Sequence, residues 1–460
     1  MQVGEDVLHE LFEGGGCLGG GGARVGLDAG EGEFGAGAFE QLAGRTGRKR
    51  SGRAVNGAES QGNYAAHEKE VDVSPADLTA LPAPAFAGGT RAMTTTPVVG
   101  SPAREYADMF VPGQEQLDDG ELRVTILGSG NPWVTRAQAS ASILIEVGNP
   151  ERDLLVLDLG SGSLANFASL KLPVNALDKV FFTHLHADHV PDLITLFGSY
   201  RKSGRVDRGV RVWGPTGSEP RLGTAHFVDA VREACNWDSE STRSIHAEES
   251  FELSVSEFEF SETQVVYEAN GVTITSFPVV HALSGAVGYR IEFAGLTFVH
   301  SGDTRPGWPL VRACEGRSID LLIHECFPPA EVIAAEMNMP IERATVILNA
   351  AHTSPRGAGK VFELVKPQMA GLWHTQFGPA TTPLIFEDLR KVYDGPVVQT
   401  QDLTVFNVTK QAVVARQAQV EPQPQPIPGE PSVEPTPRPP AEPDWWAQAL
   451  IPLDDVLALP

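Results

Sequence analysis

The sequence predicts an α/β fold of two mixed β-sheets flanked by helices, with extensions at both ends. Three observations carry that expectation. Short apolar strands recur from residue 122 onward, interrupted by single helical patterns. One of those strands runs into His184-x-His186-x-Asp188-His189, where four of six residues can bind a divalent metal. Composition is globular on average, 42 % hydrophobic and 20 % charged, but it changes sharply near each end.

Residues 1–92 lack periodic apolar positions. Glycine is nearly continuous from Gly14 to Gly22, and Arg48-Lys49-Arg50 stands alone, so a solvated, disordered extension is expected. Met93 opens a stretch of ordinary composition, and residues 93–121 read as a lead-in segment. Residues 122–127 form the first strand, closed by the turn Gly128-Ser129-Gly130-Asn131-Pro132. Strands at 142–147 and 154–157 follow, then a helix at 164–170 and a short strand at 179–183 ending on the histidine cluster. Further strands are expected at 210–213, 273–280, 287–293, 296–300 and 403–408. Helices are expected at 224–234, 341–351, 357–365 and 384–393. The folded domain therefore spans 122–410. Beyond it, 411–443 is a Pro/Glu/Gln-rich linker, and 444–460 is a short apolar segment around Trp445-Trp446, suited to docking a partner or folding back.

Charge and cysteine usage narrow the function. The net charge is −24; residues 1–92 carry about −5 and residues 410–460 about −4, leaving about −15 on the middle. A strongly acidic body repels phosphate backbones, which disfavours nucleic acid as a substrate. Cys17, Cys235, Cys314 and Cys326 are scattered, without the spacing of a disulfide framework or a cysteine metal site, which suggests a reducing compartment. No apolar run reaches the roughly 18 residues of a membrane span, and no basic-then-apolar leader opens the chain. A cytoplasmic protein is expected.

The histidine cluster lies between a strand and Val190-Pro191-Asp192, hence on a tight loop, where ligands can converge that a strand would send to opposite faces. His184 and His186 can grip one ion while Asp188 and His189 turn to a second. Imidazole and carboxylate suit zinc, manganese or iron, and there is no thiolate to narrow the choice. Three more donors stand at strand ends: His281, Asp303 in Ser301-Gly302-Asp303-Thr304, and His374. Together they complete a set of seven.

This order of motifs resembles the metallo-β-lactamase superfamily, specifically its ribonuclease Z-like branch, and most closely the guanitoxin-biosynthesis-type hydrolases. The supporting segments are Trp213-Gly214-Pro215, Val280-His281-Ala282-Leu283-Ser284-Gly285-Ala286, His324-Glu325-Cys326-Phe327, His352-Thr353-Ser354-Pro355 and Tyr393-Asp394-Gly395-Pro396. The resemblance covers roughly residues 122–410 and specifies fold far better than substrate. It implies the αββα sandwich of that superfamily and two divalent ions, Zn2+ first, with Mn2+ or Fe as alternatives. His184, His186 and His281 would hold one ion, Asp188, His189 and His374 the other, with Asp303 between them. His352 would sit beside the leaving group, oriented by Glu325. His324 is expected to be structural, and His226, His246 and His300 match no ligand position.

Such a site implies a hydrolase in which a metal-bridging hydroxide attacks and Asp188 orients or deprotonates the nucleophile. A small-molecule ester, lactam, sulfate ester or phosphoester is the favoured substrate, and a homodimer is compatible with the class. A tRNA 3′-end endonuclease is the alternative. Against it, the chain has no evident Gly/Pro-rich arm of the kind that clamps tRNA, and His374 is followed by Thr375-Gln376-Phe377 rather than Ser-x-Arg-Tyr. The third reading is a non-catalytic interaction protein working through its Pro-rich tail and Trp445-Trp446.

Overall fold

The computed structural model describes residues 97–205, 207–430 and 442–451, all within the unit Phe86–Pro460. The expected extension at 1–92 lies outside the described residues. Among the described residues, seventeen strands form two sheets. The larger runs, in spatial order, Val98–Gly100, Ala412–Ala418, Thr404–Val408, Leu122–Gly128, Ser142–Val147, Leu154–Leu157, Lys179–Phe181, Val210–Pro215 and Leu253–Phe258; Met109–Phe110 pairs beside Ala412–Ala418. The second runs Val397–Gln399, Met369–Trp373, Leu321–Glu325, Leu296–His300, Val287–Phe293, Val272–Pro278 and Gln264–Ala269.

The layering follows from alternation along each strand. Leu155, Leu157 and Phe181 of the larger sheet face Ile274, Tyr289, Ile291 and Ile323 of the second, making the core between the sheets. Their neighbours Val156 and Val180 point the other way, onto Phe167, Leu193, Phe197 and Val228 from the helical layer. On the far side, Leu322 and Leu372 meet Leu310, Val361, Phe362 and Ile385. Both sheets are thus covered on both faces, as near-continuous apolar strands require. The result is an αββα sandwich.

The central strands of each sheet are parallel where the site is built. Leu154–Leu157, Lys179–Phe181 and Val210–Pro215 run together, as do Leu296–His300, Leu321–Glu325 and Met369–Trp373. Their carboxyl ends all open on one edge of the sandwich, the place where parallel sheets bind ligands.

Two expectations are corrected. The loss of pattern after Lys410 places the domain's end there, yet Ala412–Ala418 forms a buried strand against Thr404–Val408. It also pairs with Val98–Gly100 and Met109–Phe110, so the lead-in belongs to the sheet. The Pro-rich segment is not simply a solvated linker either: the Val174 amide donates to the Ile427 carbonyl at 2.9 Å, and Asn175 Nδ2 to the Glu430 carbonyl at 3.1 Å. The strands Leu253–Phe258, Gln264–Ala269, Leu321–Glu325 and Val397–Gln399 were not expected at all. At the other end, Trp446–Ala449 is a single helical turn, with Trp445 exposed and edge-on to Trp446 at 6.2 Å.

Candidate metal centre

Each expected donor stands in a loop at the carboxyl end of a strand. Lys179–Phe181 delivers His184, His186, Asp188 and His189; Val272–Pro278 delivers His281; Leu296–His300 delivers Asp303; and Met369–Trp373 delivers His374. Two of these turns depend on unusual backbone. His374 has φ 57°, a left-handed conformation that a non-glycine residue holds only when its surroundings enforce it. Gly302 has φ 60°, and a Cβ there would come within 2.6 Å of the Val287 carbonyl, so the turn that aims Asp303 requires glycine.

All seven side chains converge. His184 Nε2 and His281 Nε2 each lie 3.0 Å from His186 Nδ1. Asp303 Oδ2 is 3.9 Å from both His184 Nε2 and His281 Nε2, and 3.4 Å from both His189 Nε2 and His374 Nε2. His374 Nε2 is 3.1 Å from Asp188 Oδ2. The donor atoms fall into two groups, His184–His186–His281 with Asp303, and Asp188–His189–His374, each within 4.8 Å. Asp303 Oδ2 reaches both.

The surrounding hydrogen bonds fix which ring nitrogens face inward. His281 Nδ1 donates to the Ala351 carbonyl at 2.8 Å, leaving the Nε2 lone pair toward the cluster. His189 Nδ1 donates to Asp158 Oδ2 at 2.8 Å. Thr183 Oγ1 donates to the same Asp158 oxygen at 2.7 Å and lies 3.0 Å from His184 Nδ1, so it can accept that ring's proton. Asp158 is thus a residue the sequence did not single out. It is fully buried, has φ 59°, and anchors donors of both groups. A lone aspartate after a strand carries no motif; the only signal was its position at the carboxyl end of Leu154–Leu157.

This donor set fits divalent metal ions. With Nδ1 of His184 and His281 committed elsewhere, two lone pairs converge on His186 Nδ1, which has at most one proton to offer. Buried His189 Nε2 and Asp303 Oδ1 have no hydrogen-bond partner, a cost that a cation among them would remove. Imidazole with carboxylate is a zinc-type set, with manganese and iron also compatible.

The two groups differ electrostatically. Burial lowers His184 well below the ordinary imidazole range, lowers His186, and takes His281 down to about 4. Burial also works against charge on His189, but Asp303, Asp158 and Asp188 outweigh it and raise that ring well above its usual value. Burial would raise Asp188, yet His189 and His374 hold it at about 2.

Beside the cluster, His352 Nδ1 lies 3.0 Å from Glu325 Oε2, and the ring stacks on Phe327 with centroids 3.7 Å apart. Glu325 is fully buried; burial and the Asp303 charge raise it well above the usual carboxylate range. His324 is buried with Nδ1 on the Glu325 carbonyl, and His300 packs edge-on against Trp373, so neither joins the donors. His226 matches no ligand position but lines the cavity that opens beside His184 and His186.

A family model described as the β-lactamase superfamily domain matches residues 156–375, the stretch that holds every donor. That stretch is similar to the β-lactamase superfamily domain. The chain is also similar to ribonuclease Z proteins. It is 30 % identical to that of Mycobacterium marinum over 188 residues, which is 40 % of this chain and 64 % of that protein. It is 29 % identical to that of Mycobacterium bovis over 206 residues, 44 % of this chain and 69 % of that protein. The chain thus spans just under two thirds of the first relative's length. Among solved structures, the metallo-β-lactamase fold protein YhfI from Bacillus subtilis aligns with a TM-score of 0.45 and 20 % identity, covering 63 % of this chain and all of that one.

Proposed function

We propose that the chain is a dinuclear metal-dependent hydrolase acting on a small-molecule ester, lactam, sulfate ester or phosphoester. The observation that carries this is the convergence of two donor groups on Asp303 Oδ2. In this reading His184, His186 and His281 hold one ion and Asp188, His189 and His374 the other, with Asp303 shared. Zinc is the first candidate. Ions so held supply Lewis acidity for the substrate's oxygen and acidify water enough for attack near neutral pH.

The chain's own groups do the rest. Asp188, held ionised by its histidine neighbours, orients the attacking water and takes its proton on Oδ. Glu325 Oε2 and His352 Nδ1 share a proton across 3.0 Å, and the ring passes one from Nε2 to the leaving group. Phe327 fixes the plane of that ring. Three buried, unpaired cysteines, Cys235, Cys314 and Cys326, support a reducing, cytoplasmic location. We further take the domain to run from the strand Val98–Gly100 through Glu430.

Metal analysis with a screen of chromogenic esters, lactams, sulfate esters and phosphodiesters tests the reading. About two ions per chain and chelator-sensitive hydrolysis of at least one class are expected; a chain with no ions and no hydrolysis would refute it. The similarity to ribonuclease Z favours a second reading, cleavage of tRNA precursors. With a net charge of −24, tRNA binding should vanish by moderate salt. Efficient metal-dependent cleavage of a tRNA precursor would put the second reading first.

A further inference from the structure

A cavity of about 340 Å³ opens directly against His184, His186 and His281. The metal reading uses only that histidine edge; the other walls have no assigned task. They are mostly carbon: Leu222, Phe227, Ala230 and Leu283 among them. The rim is apolar as well, since Leu283 is 65 % exposed and Leu222 36 %. A large exposed leucine beside a polar cluster is the kind of surface that marks a ligand groove. Arg221, the one Lys or Arg among the lining residues, is already engaged by Glu219 at 2.8 Å. The cavity therefore offers little to a phosphate or other compact anion and much to hydrocarbon.

Its walls are also fixed. The loop crossing from the second sheet turns at Gly285 with φ 132°, against the Thr216 carbonyl. Opposite, a Cβ on Gly217 would come within 2.5 Å of Leu222, so that loop packs directly on the wall residue.

The position of His352 gives the cavity a direction. His352 is not among its lining residues; it packs beside His281, with ring centroids 5.1 Å apart, and stacks on Phe327. A group leaving toward His352 thus departs away from the cavity, and the part of the substrate that stays behind lies in it.

We propose that this cavity binds the apolar acyl part of a carboxylic ester whose alcohol leaves toward His352. The inference rests on the hydrolase reading and sharpens it. Water's oxygen joins the acyl carbon, the acyl–oxygen bond breaks, and the alkoxide takes a proton from His352; the products are a carboxylate, its proton going to solvent, and an alcohol. An apolar cavity of about 150 Å³ accommodates benzene, so this one has room for about two rings or an equivalent alkyl chain.

Two ester series test the assignment on the full chain. One varies the acyl group from acetyl to decanoyl with a fixed chromogenic alcohol; the other varies the alcohol on a fixed acetyl. In the acyl series, kcat/KM should rise about threefold to fourfold per methylene until the cavity fills; in the alcohol series it should stay within about threefold. Ala230→Trp, on an exposed helical face, should cut the decanoyl-to-acetyl ratio at least tenfold. Calorimetric binding of decanoate against acetate adds a readout independent of turnover, and decanoate should bind at least tenfold tighter. Ester hydrolysis indifferent to acyl length, or steeper in the alcohol series, overturns the cavity assignment and leaves the hydrolase reading standing. Tight decanoate binding weakened by Ala230→Trp, without hydrolysis of any carboxylic ester, lactam, sulfate ester or phosphodiester, supports the occupant and overturns the hydrolase. Neither hydrolysis nor a decanoate preference overturns both.

Discussion

The His184–His186–His281 side of the donor cluster opens on an apolar cavity, and its three rings are uncharged donors held below the ordinary imidazole range by burial. The Asp188–His189–His374 side lies against the scaffold. It carries a carboxylate of its own, and its central ring, His189, is raised by three aspartates. The anchors differ too. His281 hangs from a single backbone carbonyl, whereas His189 is clamped by Asp158, a buried carboxylate that also accepts from the Thr183 amide and hydroxyl. In the proposed reading, one half would face a substrate and the other would retain an ion. Opposite charge strengthens retention in a buried site, and hydrogen bonds behind a ligand fix its direction.

The largest expected effect breaks the closed half outright. Asp188→Ala removes both a donor and the proposed base, so kcat/KM should fall by several orders of magnitude and one of the two ions should be lost. His186→Ala, on the open half, should cost activity while leaving the closed half's ion in place. If the two variants lose ions indistinguishably, the division of labour is wrong.

His352→Ala comes next, because it lies beside both halves without belonging to either donor group. Turnover should fall roughly 10²–10⁴-fold with metal content unchanged. Loss of metal in that variant would make His352 a ligand, and the Glu325 contact at 3.0 Å would then orient a ligand rather than an acid.

Asp158→Asn should weaken ion binding by about ten- to a hundredfold, and more on the closed half than on the open one. Asp158 contacts His189 directly but reaches His184 only through the Thr183 hydroxyl. Thr183→Val should therefore weaken the open half more than the closed one. Metal titrations of the two variants check this, and equal losses at both halves in both variants would erase the distinction.

Asp158 also shows where sequence patterning stops. The run from His184 to His189 was legible because its donors are local, and the other three stand where strand patterns end. Asp158 becomes a partner of His189 only through tertiary contact across 31 residues, which no local spacing encodes. The end of the domain was missed for a related reason. Ala412–Ala418 contains Arg416, which reads as solvent-facing, yet it is buried between Glu115 at 2.8 Å and Asn407. Arg123 and Glu146 form another buried pair in the same sheet. Charges satisfied inside the fold disguise core strands as surface. The edge strands Leu253–Phe258 and Gln264–Ala269 were missed for the opposite reason, being half exposed and lacking a continuous apolar run.

The smallest expected effect is a single proton, and it separates the two halves most directly. A ring nitrogen binds an ion only through its lone pair, so any proton on it must leave first. In the ion-free protein at pH 6, His189 is protonated, because its neighbours raise it well above the ordinary value of 6.5. His184 lies well below that value and His281 at about 4, so both are neutral at pH 6. Asp188, at about 2, and Asp303, lower than its usual range, are ionised already and have nothing to release. At that pH an attacking water, with a pKa near 7 at best, keeps most of its protons. Filling the closed half should therefore release the His189 proton, and filling the open half should release fewer protons than the closed half does. Titrating the ion-free protein by calorimetry in two buffers of different ionisation enthalpy measures this directly, with the Asp188→Ala and His186→Ala variants isolating each step. Raising the pH through the His189 value should make the first release fade, since the ring is then neutral before the ion arrives. Equal release from the two halves at pH 6 would mean that the aspartates around His189 do not set its charge, and the electrostatic contrast between the halves would fall with it.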